Sequence, residues 1–150
     1  MKALSLWQPW ASAIPMGLKH YETRSWSTTY RGPLVIAAAK TMKGVGTLSP
    51  CMRGDMERLM RRTSLMDLPT GVALCVCDLV DVIDSHDHPN TEISEIEHLF
   101  GDWSPNRYAW KLDQIRPITI TIPIKGKQGL FNCPQDVADY CEGLRKGAPA

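Results

Sequence analysis

A chain of 150 residues with 43% hydrophobic and 22% charged side chains has the balance of an ordinary globular fold, which excludes disordered and fibrous classes. No apolar run approaches the roughly 20 residues that cross a bilayer, and no basic stretch leads into an amino-terminal apolar one, so a cytoplasmic protein with no membrane association is expected. Cys51, Cys75, Cys77, Cys133 and Cys141 are odd in number and lack a CxxC pair, which argues for reduced thiols over a disulfide framework or zinc knuckle. One domain over residues 1–150 is expected, with the last few residues loose.

The net charge of +1 is unevenly distributed. Between Asp78 and Asp102 there are eight acidic residues and no Lys or Arg, while residues 1–62 hold ten Lys or Arg against three acids. A basic portion of this kind attracts phosphates, since neutralising them releases counterions; it is also what a solvated charged surface looks like.

Ala3–Leu6 is a strand candidate, and Pro9 then suits the first turn of a short helix that Pro15 and Gly17 end. His20–Trp26 alternates as a strand, with His20, Glu22, Arg24 and Trp26 on one face and Tyr21, Thr23 and Ser25 on the other. Arg31-Gly32-Pro33 turns into the apolar strand Leu34–Ala39. Met52, Met56, Leu59 and Met60 stripe an amphipathic helix with a basic outer side, a pattern of adaptable core packing more than of a binding groove. Gly71 opens a long strand to about Ile83, with Cys75 and Cys77 on one face.

Thr91 is read as the cap of a helix in which Glu92 and Glu95 favour the amino end and Ile93, Ile96, Leu99 and Phe100 face inward. Arg107–Leu112 and the alternating Ile118–Ile124 are the last strand candidates. Pro134 opens a final helix with Val137, Tyr140, Cys141 and Leu144 along its apolar stripe. Five or six strands interrupted by short helices suggest an α+β mixed β-barrel, and no internal repeat is visible.

The densest polar cluster is Gly17-Leu-Lys19-His-Tyr-Glu22-Thr-Arg24. Lys19 and Arg24 have the chemistry to take phosphate or carbonyl oxygens and Glu22 that to take a base amino group; an exposed strand face with a weak surface ion pair has the same spacing. Trp7, Trp10, Tyr21, Trp26 and Tyr30 lie near this basic material, the ingredients of a platform for unstacked bases, although most Trp residues serve as core anchors and at least three of the five, counting Trp103 and Trp110, are expected to be structural. His86-Asp87-His88 with His98 is a weak metal pattern in which no outer partners orient the ligands. No Gly-rich phosphate loop, nucleophile elbow or HExxH motif occurs, and neither a metal nor a cofactor is expected.

Leu4-Ser-Leu-Trp7-Gln-Pro-Trp10-Ala-Ser12, the Gly17-x-Lys19-x-x-Glu22-x-Arg24-Ser-Trp26 signature, and Arg31-Gly-Pro-Leu34 followed by Ile36-Ala-Ala-Ala-Lys40 resemble the ASCH domain family. Cys77-Asp-Leu-Val-Asp81, Tyr108-Ala-Trp110 and Pro123-Ile-Lys-Gly-Lys-Gln-Gly-Leu130 look like its later elements. The resemblance implies a PUA-like β-barrel with short flanking helices and a cleft lined by the Lys19, Glu22 and Arg24 segment. In the cointegrator branch of the family, with its bacterial and phage relatives, it implies nucleic-acid binding, and the wider superfamily leans towards RNA and modified bases.

The leading expectation is a binding module for nucleic acid or a modified nucleotide, RNA slightly favoured. Lys19 and Arg24 contact phosphate or carbonyl oxygens, Glu22 reads a donor edge, Trp7 or Trp26 stacks a base, and Arg31, Lys40 and the arginines of the Met52–Arg62 helix extend the basic track. Another branch hydrolyses acetylated cytidine with a Lys, a Thr and a Glu, and some relatives are credited with RNA cleavage. Lys19 matches that lysine, but Glu22 stands at the threonine position and Thr23 falls on the opposite strand face. On the hydrolase alternative Lys19 and Glu22 are the catalytic candidates, with Thr23 behind them. A third reading makes the acidic 78–102 segment a docking surface for a protein partner.

Overall fold

The computed structural model describes residues 1–84, 86–87 and 92–147. Among the described residues there are six strands: β1 (Lys2–Leu6), β2 (Tyr21–Arg24), β3 (Gly32–Ala38), β4 (Ala73–Asp84), β5 (Tyr108–Pro117) and β6 (Leu130–Asn132). They form one curled sheet, a half-barrel, in the order β2-β5-β4-β3-β1-β6. β1 and β3 run parallel, with Lys2 opposite Leu34 and Leu6 opposite Ala38, and every other neighbour is antiparallel. Short helices flank the sheet: α1 (Trp10–Ala13), α2 (Lys43–Gly46), α3 (Pro50–Met60), α4 (Glu95–Leu99) and α5 (Gln135–Arg145). This is the α+β architecture that the strand and helix order predicts, and it is consistent with the PUA-like fold that the family resemblance implies.

Alternation along the strands divides the core between the two sheet faces. Leu4, Leu6, Leu34, Ile36, Cys75 and Cys77 pack on one side with Trp110. Ala3, Val35, Ala37 and Val76 pack on the other, against Val137, Cys141 and Leu144 of α5. A third cluster, in which Val45, Met56, Met60, Leu65 and Phe100 meet, ties α2 and α3 to the end of α4. The methionine stripe is thus largely core, with Met52 left exposed. Burial pushes the Cys141 thiol up to about 12, so this thiol stays protonated at neutral pH.

Three sequence expectations change. Ile118–Ile124 is not a strand: it touches the sheet through spaced bonds, Ile118 N–H to Leu74 O, Ala73 N–H to Ile122 O and a single bridge between Val72 and Pro123. Pro117 and Pro123 cannot donate to a ladder, and Ile120 turns outward at 51% exposure despite the alternation. The helix expected from Thr91 begins at Glu95, capped by the Ser94 hydroxyl accepting from the Glu97 N–H; Thr91 itself lies outside the described residues, as do the final residues 148–150. Within α4, Ile96 faces out and Glu97 is buried, the reverse of the apolar-in reading, because the Glu97 carboxylate has backbone donors to meet.

Gly44 permits the close seat of α2 beneath the amino-terminal turn. A Cβ there would overlap Gln8 O and come 2.5 Å from Trp10 Cζ3, whereas one at Gly54 on α3 would meet nothing within 4 Å. Gly44→Ala is expected to destabilise the fold by about 1–3 kcal/mol through overpacking. Gly54→Ala is expected to stabilise it by about 0.5–1 kcal/mol, because a helix interior favours Ala over Gly. Thermal denaturation of the two variants checks the pair, and equal melting temperatures would contradict this packing.

Candidate functional site

The parallel pair β1 and β3 ends side by side, which releases Trp7 and Lys40 at the same edge of the sheet. Gln8 then turns inward and is fully buried. Its Oε1 accepts the Ser12 N–H at 3.0 Å, and its Nε2 donates to Ser12 Oγ at 2.7 Å and to Pro69 O at 2.8 Å. That anchoring fixes α1 and leaves Trp7 45% exposed beside it.

Lys19 follows the Gly17 turn and is 1% exposed. Its Nζ donates to Phe100 O at 2.6 Å and lies 3.4 Å from Glu22 Oε2. Glu22 Oε1 in turn lies 3.5 Å from an Arg24 guanidinium nitrogen, and the Arg24 guanidinium stands 5.4 Å above the Trp26 ring. Trp26 is held edge-on against the buried Trp110, whose indole N–H donates to Trp26 O at 3.2 Å. Lys19, Glu22, Arg24 and Trp26 therefore form one chain of contacts.

These residues wall a groove made of three cavities. An inner cavity of about 370 Å³ is lined by Lys19, Glu22, Trp10, Met52, Phe100 and Arg107, among others. A middle one of about 360 Å³ shares Trp10, Glu22, Thr23 and Arg107 with it. An outer one of about 640 Å³ shares Ser5, Trp7, Arg24 and Trp26 with the middle one and adds Lys40, Lys125 and Lys127. Each falls in the size range of small-ligand pockets, about 300–1,000 Å³.

The structure gathers Lys19, Glu22, Thr23, Arg24, Trp7, Trp26 and Lys40 around this groove. Arg31 lines none of the three cavities: its guanidinium donates to Thr28 O and Tyr30 O and lies 3.9 Å from Asp81. The α3 arginines Arg53 and Arg58 pair with Glu57 and Asp55 on their own helix, and only Met52 of α3 reaches a cavity. His20, expected on the face of Glu22, turns instead to Glu97. His88 lies outside the described residues, and among those described no three His, Cys, Asp or Glu side chains gather to hold a metal ion.

Arg107, like Lys125 and Lys127 of the outer cavity, is a groove residue that sequence reasoning missed. It donates to Thr23 O at 3.0 Å, and its Nε is close enough to Asp102, at 3.4 Å, for an ion pair without being aligned for a hydrogen bond. The available signal was its place as the first cation after the acidic run. The Ser104 hydroxyl, donating at 2.6 Å, holds the Asp102 carboxyl below the usual carboxylate range; partial burial opposes this, while the Ser104 N–H and Arg107 add to it. Asp102 therefore keeps its charge to lower pH than an ordinary aspartate does. Thr23 Oγ1 accepts the Asp102 N–H at 2.9 Å, while the Lys19 ammonium is engaged by Phe100 O and Glu22.

An ordered series of motifs on a half-barrel, with a groove at the ends of its parallel strands, defines the class, and the matches agree. The ASCH domain family model matches residues 4–122, and the chain belongs to that family. It is 27% identical over 150 residues to activating signal cointegrator 1 of Mus musculus and, equally, of Homo sapiens. Those alignments take in 96% of this chain but only 24% of each relative, so the chain spans about a quarter of their length. Among solved structures it resembles the ASCH protein of Zymomonas mobilis, with a TM-score of 0.55, 16% identity and coverage of 95% of this chain and 94% of that one. A serine-to-alanine mutant of the same protein gives a TM-score of 0.53 at the same identity and coverage.

Glu97 secures the groove from behind. Its buried carboxylate accepts the His20 N–H at 2.9 Å and the Tyr21 N–H at 3.1 Å, and lies 3.0 Å from His20 Nδ1. Glu97→Ala leaves two amides at the start of β2 without a partner and is expected to cost about 2 kcal/mol. Native-state hydrogen exchange at His20 and Tyr21 should then quicken by roughly 5- to 30-fold, and unchanged exchange would contradict the clamp.

Proposed function

We propose that this ASCH domain is a binding module for single-stranded or structured nucleic acid, with RNA favoured over DNA. The observation that carries the reading is the Arg24 guanidinium stacked over Trp26 at the joint between the middle and outer cavities, with the exposed Trp7 ring on the same walls. A cation flanked by aromatic faces suits an unstacked base and its phosphate together, because every base offers a π-face and every nucleotide an anionic oxygen. Further in, Lys19 has one ammonium proton beyond those met by Phe100 O and Glu22, fit for a base carbonyl, and Glu22 offers an acceptor edge for a base amino group. The likeness to activating signal cointegrator 1 supports placing this chain with that branch of the family.

Titration of labelled single-stranded RNA by fluorescence anisotropy tests the reading. Affinity is expected to fall steeply as salt rises. Trp7→Ala should weaken binding by roughly 5- to 150-fold, the worth of one stacked base at about 1–3 kcal/mol. Arg24→Ala should both weaken binding and flatten its salt dependence. Lys19 is left intact in this test, since truncating a buried ammonium also strands Glu22 and Phe100 O and so moves stability. Salt-independent binding, or wild-type affinity in the Trp7 and Arg24 variants, would overturn the proposal.

A further inference from the structure

The outer cavity differs from the other two in charge. Arg24, Lys40, Lys125 and Lys127 line it and no carboxylate does. None of the three lysines is in an ion pair among the described residues, in contrast to Lys19 and the arginines Arg24, Arg53, Arg58, Arg107 and Arg145. Like charges kept together without counterions cost free energy, which a polyanion entering the cavity relieves.

The lysines are also carried on anchored backbone. Gly71, at φ +68°, sits under the aliphatic stem of Lys40, where a Cβ would come 3.1 Å from Lys40 Cγ. The same Gly71 accepts the Ile124 N–H at 3.0 Å, which pins the start of the Lys125–Gly129 loop. Two residues further on, Gly126 is pressed against Ser5: a Cβ there would lie 2.5 Å from Ser5 Oγ. Gly129 then takes a left-handed turn into β6. Lys125 and Lys127 thus flank a fixed glycine, and Lys40 enters the same space from the end of β3. The loop lies beyond residues 4–122, the extent of the family match.

We infer that the outer cavity is a phosphate subsite, so that the ligand of this groove is a phosphorylated nucleotide or strand whose base lies inward, at Trp26 and beyond, and whose phosphate lies on Lys40, Lys125 and Lys127. This rests on the nucleic-acid reading and deepens it by fixing the direction in which the ligand runs. A neutral nucleoside leaves the outer cavity empty and binds correspondingly more weakly.

The triple variant Lys40→Ala/Lys125→Ala/Lys127→Ala tests the assignment. All three side chains are exposed, so the fold survives, which circular dichroism and thermal melting check. For single-stranded RNA the slope of log affinity against log salt should become shallower by about 2, at about 0.7 per lost phosphate contact on a single strand. A matched variant, Arg58→Ala/Arg61→Ala/Arg62→Ala on and after α3, removes the same charge elsewhere and should leave most of that slope in place. A second arm compares cytidine with cytidine 5′-monophosphate by calorimetry. A preference of the wild type for the monophosphate that the triple variant loses points to free nucleotides; loss confined to the strand points to the backbone of a polymer. Strand binding with an unchanged slope in the lysine variant, or an equal loss in the α3 variant, overturns the subsite and leaves the binding reading standing. No binding by the wild type at low salt of either the strand or cytidine 5′-monophosphate overturns both.

Discussion

An ammonium group cannot be left bare inside a protein, where its desolvation costs several kcal/mol, and the answer to Lys19 organises this fold. Its Nζ is met by the carbonyl of Phe100 at the end of α4 and by Glu22 on β2, so one side chain joins a helix to the edge strand of the sheet. Glu97, about one turn earlier on α4, repeats the join with opposite chemistry, a buried carboxylate taking the amides of His20 and Tyr21. The edge of β2 is thereby occupied by side chains rather than left open to another strand. The groove inherits its inner wall from that junction, since Lys19, Glu22 and Phe100 all line the inner cavity.

Internal pairing of acidic residues explains how a nearly neutral chain gathers four cations around the outer cavity. Much of the acidic 78–102 segment is consumed internally: Asp78 pairs with Arg145, Asp81 with Arg31, Asp102 with Arg107, and Glu97 holds backbone. The partners taken out of circulation are mostly cations away from the outer cavity. What remains around that cavity is Arg24 with three lysines that have no acidic neighbour there.

The architecture was legible wherever one rule governed a segment. A continuous apolar run after a Gly-Pro turn located β3, the stretch opened by Gly71 with Cys75 and Cys77 on one face located β4, and the amphipathic stripes located α3 and α5. Ile118–Ile124 misled because alternation alone does not make a ladder when one proline precedes the segment and another lies within it, and α4 misled because a carboxylate took the inward position that apolar periodicity assigned to Ile96. The site was legible in part. Lys19, Glu22 and Arg24 are local in sequence, and a family resemblance singled them out. Arg107, Lys125 and Lys127 reach the groove through long-range contacts, the β2–β5 pairing and the Gly126–Ser5 seat, and no local pattern encodes those.

Photocrosslinking of single-stranded RNA carrying 4-thiouridine, with the adducts mapped by mass spectrometry, bears most directly on the claim that the groove is where this domain meets nucleic acid. Adducts concentrated on peptides containing Trp7, Trp10 and Trp26 are the predicted result. Adducts concentrated on α5 or on the outer face of α3, with the tryptophan peptides unmodified, would contradict it.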